Sequence, residues 1–138
     1  MRRIRVGIVL MVGGCIVSLA QNTEQYSKCI HNANTQTAMR VCANEEALRI
    51  DAELNDTYRQ LLSAAGKQSA AVEKLRAAER AWVTYRDAYI AAMYPAQDKQ
   101  AVYGSLFAME VDLLRAKLTK QQVVALKELL KRYDGSAQ

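Results

Sequence analysis

The stretch from residue 76 to 89, RAAERAWVTYRDAY, holds the side chains best suited to chemistry or recognition. Glu79, Trp82 and Arg86 follow one another at steps of three and four residues, which places them on one stripe of a helix. A glutamate can act as an acid or a base, but glycosidase-type catalysis needs a second carboxylate across a cleft. No partner for Glu79 stands at a matching spacing. Tryptophan and arginine are instead typical of interface hot spots or of polar contacts between helices.

We interpret this stripe first as structure. Because Arg86 follows Trp82 by four residues, its guanidinium can lie against the indole ring. A charge buried between helices persists only when it is paired and hydrogen-bonded, and the long preceding helix offers polar groups on its inward side. We therefore predict a structural polar network formed by Asn55, Tyr58, Glu79, Trp82 and Arg86. A recognition surface is the alternative interpretation of the same residues.

The cysteines and the single histidine offer a second possible site. Cys29, His31 and Cys42 can be drawn as metal ligands, but a fourth ligand at a recognisable spacing is missing, so we expect no metal. The chain has three cysteines, but Cys15 lies in the export signal predicted below and is either removed with it or lipidated. The remaining even pair in an exported chain favours a disulfide between Cys29 and Cys42, with two buried free thiols as the alternative. Oxidised sulfurs leave no cysteine nucleophile. Because the chain also lacks a Gly-x-Ser-x-Gly elbow and a phosphate-binding loop, we expect neither an enzyme nor a cofactor.

The first twenty residues read as an export signal. Three arginines within the first five residues precede an apolar run of twelve residues, 6–17, which is too short to span a bilayer. Ser18 and Ala20 are the small residues that a signal peptidase needs. We predict a signal peptide over residues 1–20 and a periplasmic or secreted protein. In the alternative, VGGC is a lipoprotein cleavage box, Cys15 carries the lipid, and the protein is anchored to the bacterial membrane through that lipid alone.

The remaining residues, 21–138, are enough for one domain with a single core. Removing the three arginines of the signal from 19 basic residues leaves 16 against 14 acidic ones, a formal charge of +2. The basicity of the whole chain therefore comes largely from the signal, and a nucleic-acid partner is not expected.

Helical spacing of apolar residues and scarce Gly and Pro predict an all-α fold. The predicted helices span residues 23–31, 36–65, 69–94 and 104–117, with a last helix from 119 onward. Gly66 is expected to cap the second helix and Pro95 to stop the third. Thr119 with Gln122 reads as a capping box that opens the last helix, and Leu106 is expected to face inward. The prediction is a small antiparallel bundle of about four to five helices with one disulfide.

The connector MYPAQDKQAVYG places aromatic side chains around a loop. Exposed aromatic residues in a loop form an attractive partner surface, so Tyr94 and Tyr103 are our candidates for contacting a protein partner. The alternative is that they pack down and close the end of the bundle.

Four segments form a recognisable series: Met39-x-x-Cys42, Asp51-x-x-Leu54-Asn55-x-x-Tyr58, Arg80-Ala81-Trp82 followed by Tyr85-Arg86-Asp87, and the closing Leu118-Thr119. Together these segments resemble the LprI-type lysozyme inhibitor family. They cover about residues 29–130 in the order and spacing of the family. The resemblance implies an all-helical, disulfide-bearing domain outside the cytoplasm that inhibits lysozyme by direct binding.

Two positions depart from the family pattern. The family often has a second cysteine pair, but here Ile90 stands near the first of those positions and no cysteine follows Cys42. The family usually has Gln where this chain has Glu79. The C-terminal half is therefore expected to hold together by packing, and the extra carboxylate can pair with Arg86.

The leading prediction is an exported, non-enzymatic protein that binds lysozyme or another peptidoglycan hydrolase and blocks it. The alternative is an envelope interaction or assembly module, or a toxin-immunity protein, with a different protein partner.

Overall fold

The structure, a computed structural model that describes residues 23–66 and 68–135, contains helices and no strand over those residues. Its helices are α1 (Glu24–Asn32), α2 (Gln36–Ala65), α3 (Ser69–Met93), α4 (Lys99–Tyr103) and α5 (Phe107–Gly135). The predicted all-α class is confirmed, and the first three helices lie within one residue of their predicted bounds. The predicted signal peptide, 1–20, and the alternative lipid site Cys15 lie outside the described residues.

Side chains at the helix ends explain these bounds. Thr23, Thr35 and Asp98 precede α1, α2 and α4, and each accepts a hydrogen bond from the backbone N–H three residues ahead. Such caps satisfy an N–H that has no partner inside the helix. Gly66 ends α2 with a φ of 60°, a conformation that is costly for residues with a Cβ. Pro95 follows α3 closely, as the sequence predicts.

The C-terminal half differs from the prediction. The connector contains the short helix α4, and α5 is continuous where the sequence predicts a break before Thr119. Thr119 is not a cap: it is fully buried in the middle of α5. The local capping pattern is overruled because apolar and small residues continue through it and pack on α2. No glycine or proline interrupts residues 107–134.

The long helices form an up–down–up arrangement. Gln36 bonds to Ser105 near the starts of α2 and α5, and Glu53 pairs with Lys127 farther along both helices. The two sets of residue numbers rise together, so α2 and α5 run parallel. Arg86 of α3 meets Asp51, whereas residues nearer the start of α3 meet the later parts of α2 and α5. Consecutive long helices are therefore antiparallel.

The core follows the seam between α2 and α5. At the far end a cluster joins these two helices to the start of α3; its buried members are Leu54, Leu61, Ala65, Leu75, Val123 and Leu126. In the middle, the small side chains Ala47 and Ala116 lie beside Ile50. Small residues at facing positions let two helices approach closely, so α2 and α5 can pack tightly along this seam.

Helix α1 is attached to α2 at both of its ends. Near its C-terminus the predicted disulfide between Cys29 and Cys42 is present. At its N-terminus the buried carboxylate of Glu46 accepts hydrogen bonds from the backbone N and Oγ1 of Thr23, at 3.3 and 2.5 Å. Between the two attachments the ring of Tyr26 is buried against α2. A nine-residue helix is marginal alone, so these contacts explain why α1 is ordered.

Helix α3 is the least buried of the long helices. Of its twenty-five residues, all of which the structure describes, only Leu75 is buried. Its first half joins the core cluster, whereas the second half meets its neighbours through polar and aromatic side chains.

As for membrane insertion, none of the described helices combines the length and the apolar character needed to cross a bilayer.

Acid should weaken the attachment of α1 through Glu46. Burial raises the pKa of this carboxyl, but hydrogen bonds from Thr23 and Arg49 outweigh it and hold the pKa below its ordinary value. The charged form therefore contributes stability fully above the unfolded-state pKa of about 4.3, and this contribution is lost as the pH falls through the folded-state pKa. We expect the free energy of unfolding to fall more steeply between pH 6 and 3 in the wild type than in Glu46→Gln.

Urea titrations at a series of pH values measure this slope. Glu45→Gln, at the exposed neighbouring position, is the control and should keep the wild-type pH dependence. Equal slopes in the wild type and Glu46→Gln would show that Glu46 titrates alike in the folded and unfolded states.

Candidate functional site

Arg86 is the centre of a polar contact between α3 and α2. Its side chain is 14% exposed, and Nη1 lies 3.6 Å from Oδ1 of Asp51. Its Nε donates a hydrogen bond of 2.9 Å to Oδ1 of Asp87. The guanidinium carbon lies 5.1 Å from the ring centre of Trp82, within the range of a cation–π contact. The arginine is thus balanced by two carboxylates and an aromatic face.

The polar contact continues onto α5. Thr119 Oγ1 donates to Oδ1 of Asp51 at 3.4 Å, so the same carboxylate oxygen faces α3 and α5. Farther along, Gln122 Nε2 donates to Oε2 of Glu79 at 3.2 Å. Thr119 and Gln122 are network residues that the sequence prediction had assigned to a cap. Their helical spacing from the apolar residues of α5 was the signal that could have placed them on its inward side.

The predicted network residues have different surroundings. Trp82 and Arg86 lie together as their four-residue spacing indicates, and Glu79 bonds to α5. Tyr58 packs against the apolar core cluster, whereas Asn55 is exposed on α2. These contacts neutralise the largely buried cation of Arg86 at the point where three helices meet. In the described part of the chain, no group of three or more His, Cys, Asp or Glu side chains is placed to hold a metal ion.

Three aromatic rings organise the connector between α3 and α5. Tyr94 makes edge-on contacts with Tyr103 and Phe107, at centroid distances of 5.2 and 5.1 Å, and Tyr103 stacks on Phe107 at 5.7 Å. Such pairs are stabilising beyond the area that they bury. Burial raises the pKa of the Tyr94 hydroxyl, and the nearby carboxylate of Glu110 raises it further.

Polar contacts fix the backbone of this loop onto the rings. Lys99 Nζ donates to the carbonyl oxygens of Tyr94 and Ala96, at 2.7 and 2.9 Å. The backbone N–H of Ala96 donates to the hydroxyl oxygen of Tyr103 at 3.1 Å. The ammonium of Lys99 also lies 5.9 Å from the ring centre of Phe107. Residues 94–107, which we call the aromatic loop, therefore have a defined shape.

The aromatic loop presents aliphatic side chains to solvent. Val102 is 62% exposed and Leu106 is 41% exposed, and Met93 just before the loop is 52% exposed. The prediction that Leu106 faces inward was wrong, because α5 starts only at Phe107 and Leu106 belongs to the loop. Tyr94 and Tyr103, the predicted contact residues, are half-buried in the ring cluster that shapes the loop.

Comparisons with known proteins identify similar chains. A family model described as "Lysozyme inhibitor LprI" matches residues 29–126. An uncharacterised protein of Rhizobium meliloti (strain 1021) is 31% identical over 125 residues, an alignment that covers 83% of this chain and 87% of that protein. The comparison with solved structures found no match.

Trp82 should matter for stability far more than its exposed neighbour Tyr85. The indole packs on the core cluster and covers Arg86, so we expect Trp82→Ala to destabilise the protein by about 3 kcal/mol, the low end for Trp→Ala because the ring is partly exposed. Tyr85→Ala, on the same helix, is the matched control and should change stability by less than about 0.5 kcal/mol. Urea unfolding at low protein concentration measures both. An unchanged midpoint of urea unfolding in Trp82→Ala would show that the indole ring is not part of the core.

Proposed function

Because the chain belongs to the LprI lysozyme inhibitor family, we propose that it is an exported, non-enzymatic protein that inhibits lysozyme or a related peptidoglycan hydrolase by direct contact. The observation that carries this proposal is the family match over residues 29–126, most of the chain. The Rhizobium relative supports the family but names no activity. Membership also supports a periplasmic or secreted location, to which the predicted signal peptide over residues 1–20 would direct the chain.

Electrostatic attraction contributes little to this proposed binding. Without the signal the chain has a formal charge of +2, from 16 basic and 14 acidic residues. A weakly basic inhibitor is not steered over long distances toward a basic enzyme. Affinity must then come from local fit between preformed surfaces, since binding a surface that is already ordered avoids the entropy cost of ordering it.

The aromatic loop is the preformed surface that fits this requirement best. Its backbone is fixed by the Lys99 and Tyr103 contacts, and it exposes the aliphatic side chains Val102 and Leu106. In this proposal Val102 and Leu106 enter the active-site cleft of the hydrolase, and Tyr94 and Tyr103 hold the loop in the shape that presents them. A rigid inserted loop obstructs a cleft without chemistry of its own.

A lysis assay tests the inhibitor proposal. The purified, oxidised protein is mixed with chicken-type, goose-type and invertebrate-type lysozymes on bacterial cell walls. We expect the protein to protect the cell walls from at least one type of lysozyme in a dose-dependent way. Protection should be reached near a one-to-one ratio, because each inhibitor molecule blocks one enzyme molecule. Protection against none of the three types would contradict lysozyme inhibition.

Loop variants test the location of the contact. The double variant Val102→Asp/Leu106→Asp should raise the concentration for half-maximal inhibition at least about tenfold, because two desolvated carboxylates oppose binding. Tyr94→Ala/Tyr103→Ala should also weaken inhibition while the helical circular dichroism signal stays unchanged, because the loop loses its shape but the helices remain.

Val124→Asp is the matched control for these variants. Val124 is another exposed valine, 39% exposed, and it lies seventeen residues along α5 from Phe107, about 25 Å from the loop. The Val124→Asp variant should inhibit like the wild type. Full inhibition by both loop variants would place the contact elsewhere on the protein.

A further inference from the structure

The short helix α4 has two sides of different character. Lys99 and Tyr103, four residues apart, face inward, since Lys99 bonds to the loop backbone and Tyr103 belongs to the ring cluster. At about 100° per residue, Gln100 and Val102 then lie on opposite sides of the helix, with the exposed Ala101 between them on its outer edge. The side of Val102 exposes an aliphatic group, whereas the side of Gln100 opens onto a polar cavity.

The polar cavity lies between the aromatic loop and the start of α2. Its volume is about 130 Å³, and residues of α2, the loop and α5 line it; they are Gln36, Thr37, Arg40, Gln100, Ser105 and Ala108. Gln36 Nε2 donates a hydrogen bond of 2.6 Å to Ser105 Oγ, which links α2 to the loop at this level. Arg40, about one turn along α2 from Gln36, is thereby held beside α4.

The guanidinium of Arg40 has no carboxylate partner in the described part of the chain. Arg40 is exposed, and it takes part in none of the ion pairs between described residues. Side chains three and four positions away on a helix are the ones that can reach it, and all four are uncharged: Gln36, Thr37, Ala43 and Asn44. None of the residues that line the polar cavity is acidic.

The acids closest in sequence to the cavity residues make other contacts. Asp98 caps α4 and accepts a hydrogen bond of 2.9 Å from a backbone N–H of that helix. Glu110 accepts from the hydroxyl of Tyr94 at 3.5 Å, and Glu45 and Glu46 line a separate cavity beside α1. The polar cavity therefore combines one unpaired cation with uncharged hydrogen-bonding groups. This combination suits a carboxylate that comes from another molecule.

The source of this carboxylate follows from the proposed function, on which the inference rests. Enzymes that hydrolyse glycosidic bonds have two carboxyl groups that flank the bond inside the cleft. When the aromatic loop enters such a cleft, α4 enters with it and brings Arg40 towards these groups. We propose that Arg40 binds a catalytic carboxylate of the hydrolase and thereby determines which enzymes the protein inhibits.

A local pair of this kind agrees with the weak long-range attraction between the two proteins. Net charges act over long distances and are screened by salt, whereas an arginine and a carboxylate in contact attract more strongly as water is excluded from between them. A basic enzyme with an acidic cleft can therefore bind a weakly basic protein that presents one arginine at the right place. The aliphatic side of α4 then contacts the other wall of the cleft.

A double-mutant cycle measured by isothermal titration calorimetry tests this pair. The purified, oxidised protein is titrated, without cell walls, into the lysozyme type that it inhibits most strongly in the lysis assay. Arg40→Gln should raise the dissociation constant at least about tenfold, because the carboxylate is left desolvated without its cation. Arg40→Lys keeps the charge but loses the two parallel hydrogen bonds, so its dissociation constant should lie in between. Against a lysozyme whose two catalytic carboxylates are replaced by amides, Arg40→Gln and the wild type should bind equally.

Arg76→Gln is the matched control for Arg40→Gln. It removes the same charge from an exposed arginine on α3, about 27 Å before Tyr94 along the helix, at the end of the bundle away from the aromatic loop. Arg76→Gln should bind like the wild type. Because Arg40 is exposed, Arg40→Gln should keep the circular dichroism and the urea midpoint of the wild type, which separates weaker binding from unfolding.

The outcomes distinguish this inference from the inhibitor proposal. Tight binding that Arg40→Gln leaves unchanged overturns the role of Arg40 while inhibition stands. An effect of Arg40→Gln that is as large with the amide lysozyme as with the native enzyme overturns the catalytic carboxylate as the partner. A wild type that binds no lysozyme type contradicts the inhibitor proposal and this inference together. An effect that appears only with the native carboxylates supports both.

Discussion

The close parallel packing of α2 against α5 is the contact on which the rest of the structure depends. Small residues at its centre, Ala47 and Ala116, let the helices approach, and buried side chains continue on either side of them. Every other element is added to this pair: α1 is fastened to the first half of α2, and α3 runs back along both helices. The same contact carries α5 through the point where a local capping signal predicts a break.

Polar contacts attach α3 to the pair of α2 and α5, in addition to the small apolar core. A cation between helices is tolerated only with partners, and Arg86 has Asp51, Asp87 and the Trp82 ring. This solution orients α3 but buries little of it, since Leu75 is its single buried residue among residues 69–93. A helix held by polar contacts on one side leaves apolar residues exposed on the other.

The two ends of the long helices are stabilised by different chemistry. At the start of α2, a covalent bond and a buried carboxylate hold α1. At the junction of α3 and α5, stacked rings and the ammonium of Lys99 hold the aromatic loop. This loop joins two long helices and exposes Val102 and Leu106 from an ordered backbone. An ordered loop that exposes apolar side chains can obstruct the cleft of an enzyme, which gives the proposed inhibitor function a physical basis.

Local sequence was sufficient for the all-α class and the bounds of α1 to α3, because caps, breakers and apolar spacing act within a few residues. The Cys29–Cys42 disulfide followed instead from the number of cysteines and the predicted export. It also placed Arg86 against Trp82, four residues apart on one helix. It did not reveal that α5 is continuous through Thr119, that Asn55 is exposed, or that Tyr94 and Tyr103 shape the loop which exposes Val102. Those outcomes rest on contacts between residues far apart in the chain, such as Asp51 with Thr119. Local sequence often allows two conformations or two positions for a side chain. Contacts between distant residues decide which has the lower free energy, and these contacts exist only in the packed domain.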